Sequence, residues 1–102
     1  MKQIYICSPF RGDIKTNKRK ARSYCREALS KGHLPIAPHL YFPQFLDDDI
    51  PSERRFGLDI GLSLLEDCDE IWVYGEPTEG MQSEIEHAER LGIRITWKEA
   101  TV

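Results

Sequence analysis

The chain has 102 residues, 40% hydrophobic and 30% charged, which fits one globular domain over residues 1–102 with a small but real core. A net charge of −3 and a pI of about 5.6 exclude a surface built for a nucleic acid duplex or an anionic membrane. No apolar run approaches membrane-spanning length.

Met1-Lys2-Gln3-Ile4 runs straight into a strand-like segment, so no signal peptide is expected. Ile4-Tyr5-Ile6-Cys7 reads as a buried first strand, and residues 8–13 as a turn. Residues 17–31 read as a helix with Ala21, Tyr24, Cys25, Ala28 and Leu29 inward and a basic outer face. Gly32 ends it at the C′ position. Leu34-Pro35-Ile36-Ala37 is a short strand, and its proline suits an edge. Residues 38–46 are aromatic, bracketed by prolines and too irregular for an element. With Asp47-Asp48-Asp49 they make the longest irregular stretch, the kind that is usually functional in a compact domain.

Ser52 can cap a helix from residue 53 to about 67, with Phe56, Ile60, Leu64 and Leu65 inward. Gly57 and Gly61 interrupt it at a cost of about 1 kcal/mol each relative to alanine. That predicts close approach of another group to the helix. Residues 69–74 contain a third strand and Gly75-Glu76-Pro77 is a turn. A helix with Met81, Ile85, Ala88 and Leu91 on one face follows, ending at Gly92. Residues 93–97 are the last strand.

The order β-α-β-α-β-α-β predicts an α/β fold of flavodoxin or Rossmann-like type. It has three layers, a four-stranded parallel sheet of order 2-1-3-4 with helices on both faces, and right-handed crossovers. The turn at residues 8–13 and the turn at residues 75–80 then meet at the switch point, where such sheets bind ligands.

The first turn offers the Ser8 hydroxyl, the Arg11 guanidinium and backbone amides around Gly12, a combination suited to an anion such as phosphate. It also reads as an ordinary turn with a solvent-facing arginine. The third turn brings Glu79 and Glu84. Acids favour the first turn of a helix for electrostatic reasons alone. The same dipole favours Glu84 as a carboxylate and so as a nucleophile. Asp59, beside the two glycines, either reaches that cleft or is a surface acid. Converging carboxylates are the arrangement of glycoside-bond chemistry. Cys7 reads as a nucleophile ending a strand or, more simply, as a small buried residue. Three cysteines at wide spacing, with His33, His39 and His87, complete no zinc pattern. The expectation is reduced thiols in a cytoplasmic protein without metal or cofactor.

Tyr5-Ile6-Cys7-Ser8-Pro9-Phe10, then Asp59, then Glu79-Gly80-Met81-Gln82-Ser83-Glu84-Ile85-Glu86-His87-Ala88 resembles the nucleoside 2-deoxyribosyltransferase superfamily, which includes 2′-deoxynucleoside 5′-monophosphate N-glycosidases. Its small bacterial and phage members are the most similar. The resemblance implies hydrolase or transferase chemistry in nucleotide metabolism. Glu84 would be the nucleophile at C1 of the sugar, Asp59 the proton donor to the base, and Tyr5 the aromatic that positions the nucleophile. Glu79, with Gly80 and Met81, would hold sugar or base, and Ser8, Arg11 and Ser83 a 5′-phosphate. Phe10, Tyr41 or Phe42 offers a ring for base stacking, or packs in the core. Glu86 departs from the glycine usual at its position. The expected partner is a small nucleoside or nucleotide. Two other readings stay open: a nucleotide-sensing module using the same crevice, and an interaction protein. Residues 40–46 and Trp97 would offer a surface for a homodimer or larger homo-oligomer.

Overall fold

Strands form where the apolar runs are densest. The computed structural model describes residues 1–99. In them β1 (Gln3–Cys7), β2 (Leu34–Ile36), β3 (Glu70–Tyr74) and β4 (Arg94–Lys98) make one parallel sheet of order β2-β1-β3-β4, as the alternation of elements predicts. The two central strands are buried on both faces, as a covered parallel sheet requires. Their side chains divide with period two. Tyr5, Cys7, Ile71 and Val73 join Leu65, Met81, Ile85 and Ala88 in one core layer. Ile4, Ile6, Trp72 and Tyr74 pack with Tyr24 and Ala28 in the other.

Helix α1 (Ile14–Ser30) covers the second layer, and α3 (Pro51–Glu66) and α4 (Glu79–Leu91) the first. Helix α1 starts three residues earlier than its apolar stripe suggests, because the Asp13 side chain accepts from the Thr16 N–H at 3.1 Å and caps it. Leu29, expected inward, is 55% exposed at the last turn. Pro51, not Ser52, opens α3, since proline fits the first helical position; Ser52 lies inside the turn and caps nothing. Phe56, also expected inward, is 58% exposed. The two glycines turn the inner face of α3 towards residues 57 and 61, away from Phe56.

Residues 38–46 are more ordered than their composition suggests. Pro38 opens a one-turn helix α2 (Pro38–Tyr41), and a 3₁₀ turn (Phe42–Gln44) continues it. Helix α4 follows the sequence expectation closely. The Thr78 hydroxyl accepts from the Met81 N–H at 3.3 Å, and Gly92 closes the helix at a φ of 71°. Leu91, however, is half exposed. No helix among the described residues is long and apolar enough to cross a membrane.

Candidate functional site

The carboxyl ends of β1 and β3 open into a cavity of about 300 Å³. It lies at the switch point, between the turn after β1, the segment after β2, the first half of α3 and the start of α4. Each wall has a local cause. The turn after β1 is pinned by the Asn17 amide, which donates to the Phe10 and Arg11 carbonyls at 3.1 and 3.0 Å. Gly12, at a φ of 96°, closes that turn. Pro38, Phe42, Pro43 and Leu46 supply an apolar side from the segment after β2. Gly57 and Gly61 thin α3 where it faces the cavity. A side chain at residue 61 would stand 3.0 Å from the Tyr5 hydroxyl and 3.8 Å from Glu84 Oε2. Gly61 therefore admits the close approach that its helical cost predicts, whereas a side chain at residue 57 would meet only Leu46 at an ordinary 3.5 Å.

Glu84 sits in the second turn of α4, beside the buried Ile85, and lines the cavity. The Tyr5 hydroxyl donates to its Oε2, and the Cys7 thiol to its Oε1 at 3.5 Å. Period two on β1 puts both donors on the same face of the strand. Protein atoms shut in the carboxyl although the residue keeps some exposed surface. Burial pushes it up to about 7, against the two hydrogen bonds, which pull it down. The helix dipole favours the opposite direction, but at its sixth helical residue Glu84 is past the first turn, and desolvation wins. Burial first, then the Glu84 charge, holds the Tyr5 hydroxyl and the Cys7 thiol well above their ordinary ranges, so both stay protonated donors.

Eight expected site residues line this one cavity: Tyr5 from β1, Ser8, Phe10 and Arg11 from the turn after it, and Glu79, Gly80, Met81 and Glu84 from the start of α4. Three do not. Gly12 shapes the turn without reaching the cavity, and Ser83 is exposed with its hydroxyl turned back on the Glu79 carbonyl at 3.4 Å. Asp59 is exposed and absent from the lining, whereas Glu53, Arg54, Gly57, Leu58 and Gly61 are present. At 100° per residue, position 59 points away from the face that those residues share. The proximity of Asp59 to the glycines in sequence is not proximity to the cleft.

His39 was missed as a site residue. Its Nε2 lies 2.8 Å from the Ser8 hydroxyl on the cavity wall, and burial pushes its pKa down to about 4, so the ring is neutral. The signal available was the long proline-bracketed stretch that holds it. Cys7 enters as a donor to Glu84, not as a nucleophile. Arg11, expected as an anion ligand or as a solvent-facing side chain, is held by Asp48 and Asp49 at 2.9 and 3.5 Å. Among the described residues no group of three or more His, Cys, Asp and Glu side chains is placed to hold a metal ion.

A family model described as Domain of unknown function (DUF7768) matches residues 2–98. No curated protein matches the chain. Among solved structures, a 2-deoxyribosyltransferase from the psychrotolerant Bacillus psychrosaccharolyticus superposes with a TM-score of 0.70 at 19% identity, over 95% of this chain and 72% of that one. A 2-desoxiribosyltransferase from Leishmania mexicana gives 0.65 at 18%, over 97% and 65%. At such identities the likeness is one of fold. The fold expected from the resemblance is the fold found.

Proposed function

The chain belongs to the family of the domain of unknown function DUF7768, and we propose that it cleaves or transfers the N-glycosidic bond of a (deoxy)nucleoside or its 5′-monophosphate through a glycosyl ester on Glu84. One observation carries this reading: a carboxylate on a cavity of nucleoside size, held by two donors from the neighbouring strand. The transferases of like fold support the class of reaction.

In its ionised form Glu84 attacks C1 of the sugar. Tyr5 and Cys7 fix the carboxylate in one rotamer, so that little reorganisation accompanies attack. The leaving base takes the bonding pair and a proton. We assign that proton to Glu79, the other α4 carboxylate on the cavity, in place of Asp59, which lies outside it. Glu79 then accepts a proton from the water or second base that resolves the ester. The rings of Phe10 and Phe42 flank the space for the base.

The test is chromatographic. The protein is incubated with a panel of nucleosides and 5′-monophosphates and free base is measured. Release that disappears in Glu84→Ala, with a pentosyl adduct on Glu84 by mass spectrometry of quenched reactions, upholds the reading. The position of Asp59 favours a second reading, a nucleotide-binding module without turnover. Binding without release, unaffected by Glu84→Ala, selects it.

A further inference from the structure

Charge is divided between two adjoining hollows. The cavity with Glu79 and Glu84 shares Arg11, Asp48, Arg54 and Leu58 with a second recess of about 240 Å³, which Asp49 and Arg55 also line. The recess sets three guanidinium groups against two aspartates. Both aspartates are engaged by the same arginine, Arg11. Neither Arg54 nor Arg55 has an acidic partner among the described residues. The recess therefore carries an uncompensated positive charge beside a cavity whose own charge is acidic.

We infer that this recess is an anion subsite, in which Arg54 and Arg55 hold a phosphate group of a ligand whose uncharged part fills the adjoining cavity. For the nucleoside part the inference rests on the proposed reaction. It moves the anion away from the Ser8-to-Arg11 turn, where the sequence placed it. The planar fork of a guanidinium matches two phosphate oxygens, and an arginine already engaged by two carboxylates is a poor ligand for a third anion. Arg54 lines both hollows, so it stands at the junction between the sugar and its phosphate. Asp48 and Asp49 act against the anion, which gives the subsite a sign that can be tested in both directions.

The experiment compares a deoxynucleoside with its 5′-monophosphate on the full chain. Arg55→Gln, on the recess alone, is expected to raise KM for the monophosphate roughly 10- to 100-fold, the loss of one charge-assisted hydrogen bond, and to leave the nucleoside within about twofold; Arg54→Gln, which also touches the cavity, is expected to raise KM for the monophosphate about tenfold more than for the nucleoside. Asp49→Asn, also on the recess alone, is expected to lower KM for the monophosphate only. Inorganic phosphate is expected to compete with the monophosphate but not with the nucleoside. Equal effects on both substrates, or none on either, overturn the subsite. So does a free-phosphate effect in a protein that treats the two substrates alike. If the parent protein releases base from neither, the proposed reaction fails and calorimetric titration decides the subsite by itself. Monophosphate binding at least about tenfold tighter than nucleoside binding, lost in Arg54→Gln, upholds it; equal binding, or none, overturns it.

Discussion

The Tyr5 hydroxyl donates to the Glu84 carboxylate across 79 positions of sequence. One residue belongs to the first strand and the other to the last helix, so the pair exists only in the folded chain. Removing the hydroxyl tests its role. In Tyr5→Phe the ring still fills its place in the core, while Glu84 loses the stronger of the two bonds that favour its charged form. In the parent the acidic limb of the pH–rate profile is expected near pH 7; in Tyr5→Phe it is expected to lie higher, and base release at pH 7 to fall roughly 10- to 100-fold. An unmoved acidic limb would separate Tyr5 from the ionisation of Glu84.

Glu84→Gln is expected to abolish turnover and to stabilise the protein in alkali. The carboxyl rises from an ordinary 4.5 to about 7 on folding, so the fold favours its protonated form. The parent loses that stability as pH climbs from 4.5 through 7, up to about 3 kcal/mol once the folded group is ionised. The glutamine variant loses none. Melting scans are expected to show the variant several degrees above the parent at pH 8 and level with it at pH 4. Equal melting temperatures at pH 8 would mean that Glu84 ionises without cost.

The opposite sign is expected on the far face of the sheet. Glu27 accepts from Tyr74 at 2.6 Å, Lys98 at 3.0 Å and Lys31 at 3.3 Å. The Tyr74 bond, followed by those of the lysines, pulls it down to about 2. This stability is present above pH 4.5 and is lost as pH falls towards 2. Glu27→Gln is therefore expected to melt below the parent at pH 7, with the gap closing on acidification. A gap that persists at pH 2 would assign the loss to packing.

Gly61→Ala separates stability from activity. Alanine favours a helix over glycine by about 1 kcal/mol. Its methyl would stand 3.0 Å from the Tyr5 hydroxyl, so that hydroxyl must shift by a few tenths of an ångström. The variant is expected to melt at or above the parent temperature while base release falls roughly tenfold or more. Unchanged turnover would show that the pair tolerates the displacement.

Asp59→Asn is expected to leave base release within about twofold, since the side chain is exposed and outside the cavity. A loss of a hundredfold would return Asp59 to the proton-transfer role that the family resemblance implies.

The strand order and the switch point were legible because element alternation carries them directly, and the burial of the first strand because its apolar run is continuous. That Tyr5, Glu79 and Glu84 share one cavity was legible because a motif places them on the first strand and on the helix after the third. Asp59 was not. A helical residue two positions from a glycine points 200° away from it, and only the orientation of α3 decides which of the two meets the cleft. His39 was hidden by its prolines, which read as irregular and in fact open a short helix. The state of Arg11 was also out of reach. Its partners Asp48 and Asp49 are nearly forty positions away, and no spacing rule links a turn after one strand to a loop after the next.

Strand β2 has a consequence for how the protein behaves at high concentration. It is one border of the sheet and only three residues long. The Leu34 amide is turned inward to the Lys2 carbonyl at 2.8 Å. Alternation then makes residue 35 the one whose amide would face outward, and residue 35 is a proline, with no hydrogen to offer. A second copy has no donor there on which to extend the ladder, so this border resists the strand-by-strand growth that begins fibril formation.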